Sequence, residues 1–209
     1  DVINRAPKQL VALRDQYRMR SEISDLISST FYPEHTLKTV AHKDDLSTPW
    51  GNESFIIIDT KSLDSDSAQV NGKSRRNVLH ALVVEELVSK LLENGWSFES
   101  TAKKSFGVIS PYAKQSSFIE GILRTKIGKP LNGAISTVHR FQGNERDLMI
   151  IDVTKDATNA APNLGAFLGN SDPLSPSNAM WNVAISRARQ HVILVTDLET
   201  LKKNPSAVI

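Results

Sequence analysis

The sequence predicts an α/β fold in which a mostly parallel sheet is covered on both faces by helices. Two observations carry this. Strand-like and helix-like segments largely alternate along the chain, the order that produces parallel strands joined by helical crossovers. Several strand-like segments are also continuous apolar runs, as in residues 55–58 (FIII) and 148–151 (LMII). Strands covered on both faces read this way, whereas a half-solvated strand alternates.

The elements follow in order. Residues 21–31 put Ile23, Leu26, Ile27 and Thr30 on one helical face, with Ser21 as the expected N-cap. The run Phe55–Ile58, closed by Asp59, reads as a buried strand. Residues 60–73 are polar, with Ser, Asp and Gly, and read as an exposed loop. The clearest helical period spans residues 74–93, where Val78, Leu82, Val84, Leu87, Val88, Leu91 and Leu92 recur, and Gly95 is the expected stop. Phe106–Ser110 is a short strand, after which Pro111 opens a helix to about Lys126. Ala134–Val138 and Leu148–Val153 are the third and fourth strands. Residues 156–177 carry Pro162, Gly165, Gly169, Pro173 and Pro176, a long irregular segment of the kind that is usually functional or mobile. Asn178–Arg189 reads as a helix, His191–Thr196 as a fifth strand and Leu198–Lys203 as a short closing helix. Ligands of such sheets are expected at the carboxyl ends of the strands.

Bulk properties narrow the function classes. The 209 residues suit one large domain or two small ones, with 40% hydrophobic and 23% charged residues as in an ordinary globular chain. A net charge of +2 argues for neither nucleic acid nor membrane, so any nucleic-acid binding must come from local sites. The absence of cysteine excludes disulfides and thiolate zinc sites and fits a reducing compartment, so a cytoplasmic location is expected, or a nuclear one in a eukaryote. No apolar run reaches the ~18–20 residues of a membrane span, and Asp1 to Lys8 is too polar for a signal peptide, so no membrane partner is expected. The histidines at 35, 42, 80, 139 and 191 show no ligand spacing, so no metal site is expected. The first residue is Asp rather than Met, which fits a piece of something longer.

A phosphate-cradling loop would need G-x-x-x-x-G-K-[ST] between strand and helix. Gly72-Lys73-Ser74 supplies only its last three letters, with Ser67 where the first glycine belongs. Asp59 and Asp152 end apolar runs as magnesium-binding aspartates do, but without a phosphate loop they read as residues that cap the next turn.

Three stretches carry chemistry. In Asp15-Gln16-Tyr17-Arg18-Met19-Arg20, Tyr17 can stack on a base while Arg18 grips a phosphate, although a packing residue and a surface charge read the same way. In residues 135–147 (ISTVHRFQGNERD), a strand ends in hydroxyls suited to phosphate oxygens and Glu145 could accept from a ribose, although a polar turn around Gly143 has the same composition. In residues 182–190 (NVAISRARQ), an apolar segment ends in Arg187 and Arg189, which suit either a helix C-terminus or a finger against a phosphoryl group.

Order and spacing make the three specific together. QYRMR at 16–20, ISPYAKQ at 109–115, STVHRFQGNERD at 136–147 and NVAISRAR at 182–189 resemble the motifs of superfamily 1 helicases, in the subgroup related to the nonsense-mediated-decay helicase. The resemblance runs from about Gln9 to Val195. Arg20-Ser21 stands where the family often has His-Pro, which predicts a local difference in helix capping.

The resemblance implies a RecA-like three-layer sandwich, the second motor domain of an ATP-dependent helicase or translocase, spanning residues 1–209. Tyr17 would stack on the adenine, Arg18 would reach the γ-phosphate, Glu145 the ribose, and Gly143 would let the backbone approach the nucleotide. Arg187 would be the arginine finger, with Arg18 the second catalytic residue, and Gln142 would couple the sites. Arg189, two residues beyond Arg187, would point elsewhere on the helix. Ser110, Pro111, Tyr112, Ser136 and Thr137 would touch single-stranded DNA or RNA. ATP with Mg2+ would be shared with a first RecA-like domain that precedes Asp1 and supplies the phosphate loop and metal ligands. The isolated chain would then be inactive. The alternative is a helicase-like domain serving as a non-catalytic clamp or scaffold.

Overall fold

The computed structural model describes residues 14–32, 34, 36–40, 46–63, 67–69, 74–128, 131, 133–155 and 175–202. The elements are β1 (Asp15–Gln16), α1 (Ser21–Phe31), β2 (Lys38–Thr39), β3 (Phe55–Asp59), β4 (Ser67–Gln69), β5 (Arg75–Asn77), α2 (Val78–Glu93), β6 (Phe106–Ser110), α3 (Ala113–Ile127), β7 (Ile135–Thr137), β8 (Arg146–Asp152), α4 (Pro176–Ile185), β9 (Ala188–Thr196) and α5 (Leu198–Lys202).

Five strands form one parallel sheet in the order β3-β9-β8-β6-β7. Alternation along β8 divides the core between two faces. Leu148 and Ile150 pack with α2 and α3 residues such as Val84, Val88, Ile119 and Leu123. Met149 and Ile151 pack with α1 and α4 residues such as Ile23, Ile27, Trp181 and Ile185. Helices therefore cover both faces, as the RecA-like three-layer sandwich requires. Each fully buried aliphatic or aromatic side chain contributes roughly 1.5–3 kcal/mol, and β8 is buried along its whole length.

Several boundaries differ from the sequence expectation. Arg20, not Ser21, is the N-cap of α1; it makes no side-chain cap bond, and its Nη1 instead donates to the Asn52 carbonyl at 2.9 Å. β3 is an edge strand rather than a buried one: among the described residues β9 is its one neighbour in the sheet, and Phe55, Ile57 and Asp59 are exposed. The stretch 60–73 is not wholly loop, since β4 pairs antiparallel with β5. Residues 75–77 are consequently strand, and α2 begins only at Val78, where the Asn77 side chain accepts from the His80 N–H at 3.0 Å. Val78 and Leu82 lie on the exposed side of α2, and His80 and Ala81 take the buried positions. The helix after Pro111 starts at Ala113. The helix expected over 178–189 spans Pro176–Ile185, capped by the Ser175 hydroxyl, and β9 has already begun at Ala188. Residues 156–174, Gly72, Lys73 and Lys203 lie outside the described residues.

Candidate nucleotide and nucleic-acid sites

The first and third motif stretches meet at the amino ends of β8 and β9. The Arg20 N–H donates to the Arg189 carbonyl at 2.8 Å, and the Arg146 N–H donates to the Arg187 carbonyl at 3.0 Å. Gln16 shapes the turn before α1: its Oε1 accepts from the Arg18 and Met19 N–H groups at 3.0 and 2.9 Å, and its Nε2 donates to the Met19 carbonyl at 2.9 Å. That closed loop of bonds turns Tyr17 outward, 61% exposed, while Met19 enters the core.

Arginines and carboxylates then converge. Arg18 Nε lies 2.6 Å from Glu145 Oε2, and Arg18 Nη1 donates to the Ser186 carbonyl at 3.4 Å. Arg189 pairs with Asp147 at 2.9 Å and Glu145 at 3.5 Å, and its Nη2 donates to the Ser105 hydroxyl at 3.1 Å. Arg187 Nε donates to the Val183 carbonyl at 3.1 Å. Burial pushes the Arg187 guanidinium below its ordinary pKa, neighbouring Arg18 pushes the same way, and Glu145 opposes both. Arg189 does not point elsewhere on a helix: it belongs to strand β9 and joins this cluster. The sequence reading gave no role to Asp147, although it closes the 136–147 motif, or to Ser105, which no local pattern marks. Among the described residues, Arg18, Arg187 and Arg189 face only the carboxylates of Glu145 and Asp147, so the residues present fit a polyphosphate.

Residues 138–145 lead from β7 back to β8. Phe141 is fully buried, its N–H bonded to the Thr137 carbonyl at 3.0 Å, and the Arg146 guanidinium lies 5.5 Å from its ring centre. Gln142 and Gly143 are exposed, and Gly143 takes φ +85°, a conformation a side chain would strain. Glu145 is thereby delivered to the arginine cluster.

A second group lies at the opposite, carboxyl edge of the sheet. Pro111, Tyr112, Ser136 and Thr137 are half-buried at the ends of β6 and β7. Ser110 is not at the surface: its hydroxyl is buried, bonded to Thr154 Oγ1 at 2.9 Å, and accepts from the Tyr112 N–H at 3.3 Å. This group thus lies at the carboxyl ends of the strands, whereas the arginine cluster sits where β8 and β9 begin.

Beneath the carboxyl edge runs a buried polar network that periodicity did not reveal. His80 Nδ1 lies 2.8 Å from Asp152 Oδ1 and His80 Nε2 2.9 Å from the Thr60 hydroxyl. Asp152 also accepts from Gln115 Nε2 at 2.7 Å and the Thr154 N–H at 2.7 Å. Asp152 thus caps the following turn, as Asp59 does through bonds from the Lys61 and Leu198 N–H groups at 3.0 and 3.1 Å. The turn after Asp152 holds Thr154 at φ +69°, unusual for a β-branched residue.

Such a sandwich, with these motifs at its two edges, has the form of a helicase-like domain of superfamily 1. A family model described as an AAA domain matches residues 1–199, and the chain belongs to that family. Among curated relatives, Regulator of nonsense transcripts 1 of Caenorhabditis elegans is 31% identical over 92% of this chain and 17% of its own length. The Regulator of nonsense transcripts 1 homolog of Arabidopsis thaliana is 28% identical over 93% of this chain and 15% of its own. The DNA replication ATP-dependent helicase/nuclease JHS1 of the same plant is 25% identical over 95% and 15%. The chain thus spans about one-sixth of the length of these relatives. No described helix is long and apolar enough to cross a membrane.

Proposed function

We propose that residues 1–209 are the second RecA-like motor domain of a longer ATP-dependent helicase or translocase that acts on single-stranded nucleic acid. The observation that supports this most is the convergence of Arg18, Glu145 and Arg187, from three distant segments, next to the exposed Tyr17. In this reading Tyr17 offers its exposed ring to the adenine, Glu145 accepts from the ribose, Gly143 lets the backbone approach the nucleotide, and Gln142 couples the nucleotide and strand sites. Arg18 and Arg187 bind the terminal phosphate, with Arg187 as the finger. ATP with Mg2+, when bound, supplies the free energy of phosphoryl transfer. The metal ligands and phosphate loop belong to a first RecA-like domain. Pro111, Tyr112, Ser136 and Thr137 grip the strand backbone, with Ser110 supporting them from below. The arginines draw the two domains together over a nucleotide and release them when the charge between the domains falls. The compartment is cytoplasm, or nucleus in a eukaryote.

The test is strand-stimulated ATP hydrolysis and strand displacement by the full-length protein. ATP hydrolysis that depends on nucleic acid is the expected result. A full-length protein that binds strands but never hydrolyses ATP overturns the motor reading.

A further inference from the structure

The β4–β5 hairpin is fastened to the start of α3 beside Tyr112. The Asn77 N–H donates to Gln115 Oε1 at 2.9 Å, Gln115 Nε2 donates to the Asn77 carbonyl at 3.0 Å, and the Lys114 N–H donates to the Ser74 hydroxyl at 3.2 Å. Asn77 Nδ2 also donates to the Thr154 carbonyl at 3.1 Å, which fixes the hairpin over the carboxyl ends of β6 and β8. These bonds use backbone groups, Ser74, Asn77 and Gln115, so docking the hairpin does not require a cation.

Yet the docked edge is rich in cations. Successive side chains of β5 point to opposite sides. Arg75 adjoins Ser74, whose hydroxyl accepts from the Lys114 N–H, and its charge opposes the upward push of burial on the Tyr112 hydroxyl; the Arg76 guanidinium lies 4.8 Å from the Phe118 ring centre. Lys114 is exposed, and the first turn of α3 contains no acidic residue. A positive edge beside a half-buried aromatic ring is how proteins follow a single strand, with cations on phosphates and a ring against a base.

We propose that Arg75 and Lys114 form a phosphate-backbone subsite that carries the single strand from the β7 and β6 ends, past Tyr112, onto the β4–β5 hairpin. This rests on the nucleic-acid reading above. Arg75 meets a phosphate from beside the Tyr112 side chain. Lys114 contributes charge alone.

The experiment measures binding of labelled oligothymidylate and oligouridylate to the full-length protein across a series of salt concentrations. Each phosphate contact on a single strand contributes roughly 0.7 to the slope of log affinity against log salt. Lys114→Ala should lower the slope by about 0.7 and the Arg75→Ala/Lys114→Ala pair by about 1.4. Arg75→Lys should keep most of the slope, because it keeps the charge. Arg124→Ala, which removes a charge from the far end of the same helix, should change nothing. Where Arg75→Ala disturbs the hairpin, the exposed change Lys114→Glu must still flatten the slope. A folded double variant with the parental slope, in a parent that binds, overturns the subsite alone. A parent that binds neither strand overturns the nucleic-acid reading and the subsite with it.

Discussion

Arg18 Nε and Glu145 Oε2 lie 2.6 Å apart, joining the turn before α1 to the loop before β8. Both side chains are about 40% exposed, so water screens the pair and its contribution to stability is below about 1 kcal/mol. The functional consequence should exceed the structural one. In the full-length protein, Glu145→Ala should leave the unfolding midpoint nearly unchanged while raising the KM for ATP about tenfold, equivalent to ~1.4 kcal/mol of binding. Steady-state kinetics with parallel thermal melts check this. An unchanged KM would remove Glu145 from the nucleotide site.

Arg187 gives the sharpest test. Arg187→Ala in the full-length protein should abolish most ATP hydrolysis, by about 10³-fold or more if it acts as a finger, with strand affinity nearly intact. Arg187→Lys should rescue little, since a point charge cannot reproduce the planar fork. A residue that served only as a terminal charge after α4 would tolerate Lys well and Ala with little loss. Arg189→Ala is an informative neighbour: it breaks ion pairs to Asp147 and Glu145, so it should lower stability more than Arg187→Ala does. Turnover within a few-fold of the parent for Arg187→Ala would refute the assignment.

The loop that carries Gln142 and Gly143 depends on a glycine in the sheet. A Cβ on Gly107 would lie 2.9 Å from Phe141 Cζ and 3.2 Å from the Ala134 carbonyl oxygen. Gly107→Ala should therefore destabilise by about 1–3 kcal/mol through overpacking, and it should weaken nucleotide binding by moving Phe141. Denaturant unfolding and ATP titration report the two effects separately. A neutral change in both would mean that Phe141 moves aside at no cost.

His80 and Asp152 form a fully buried pair. His80→Ala leaves the carboxylate without its imidazole and the Thr60 hydroxyl without its ring partner, and should cost about 3 kcal/mol or more. Asp152→Asn keeps the shape and should cost less. Chemical denaturation of both variants orders them; the reverse order would show that His80 is not what holds the carboxylate.

Fold class and motif residues are both legible in the local pattern of the chain. Continuous apolar runs such as 148–151 require cover on both faces, and helical spacing in α2 supplies it, so local patterning was enough. QYRM, the FQG stretch and SRAR were legible because their letters and spacing are specific. Some errors were local too. A continuous apolar run does not tell an edge strand from a buried one, so Phe55–Ile58 reads as buried, and Ala188–Arg189 reads as helix because it continues the apolar segment of α4. Which residues meet depends instead on long-range pairing. Arg189 joins Glu145 and Asp147 because β9 pairs beside β8, a long-range register that no local period encodes. The same register sets the arginine cluster at the amino edge and Tyr112 at the carboxyl edge. Ser110 reads as a surface hydroxyl until Thr154, folded over it from the end of β8, takes its bond. The His80–Asp152 pair escaped notice for the same reason: partners distant in sequence are chosen by sheet order and helix docking, which arise from packing the whole chain.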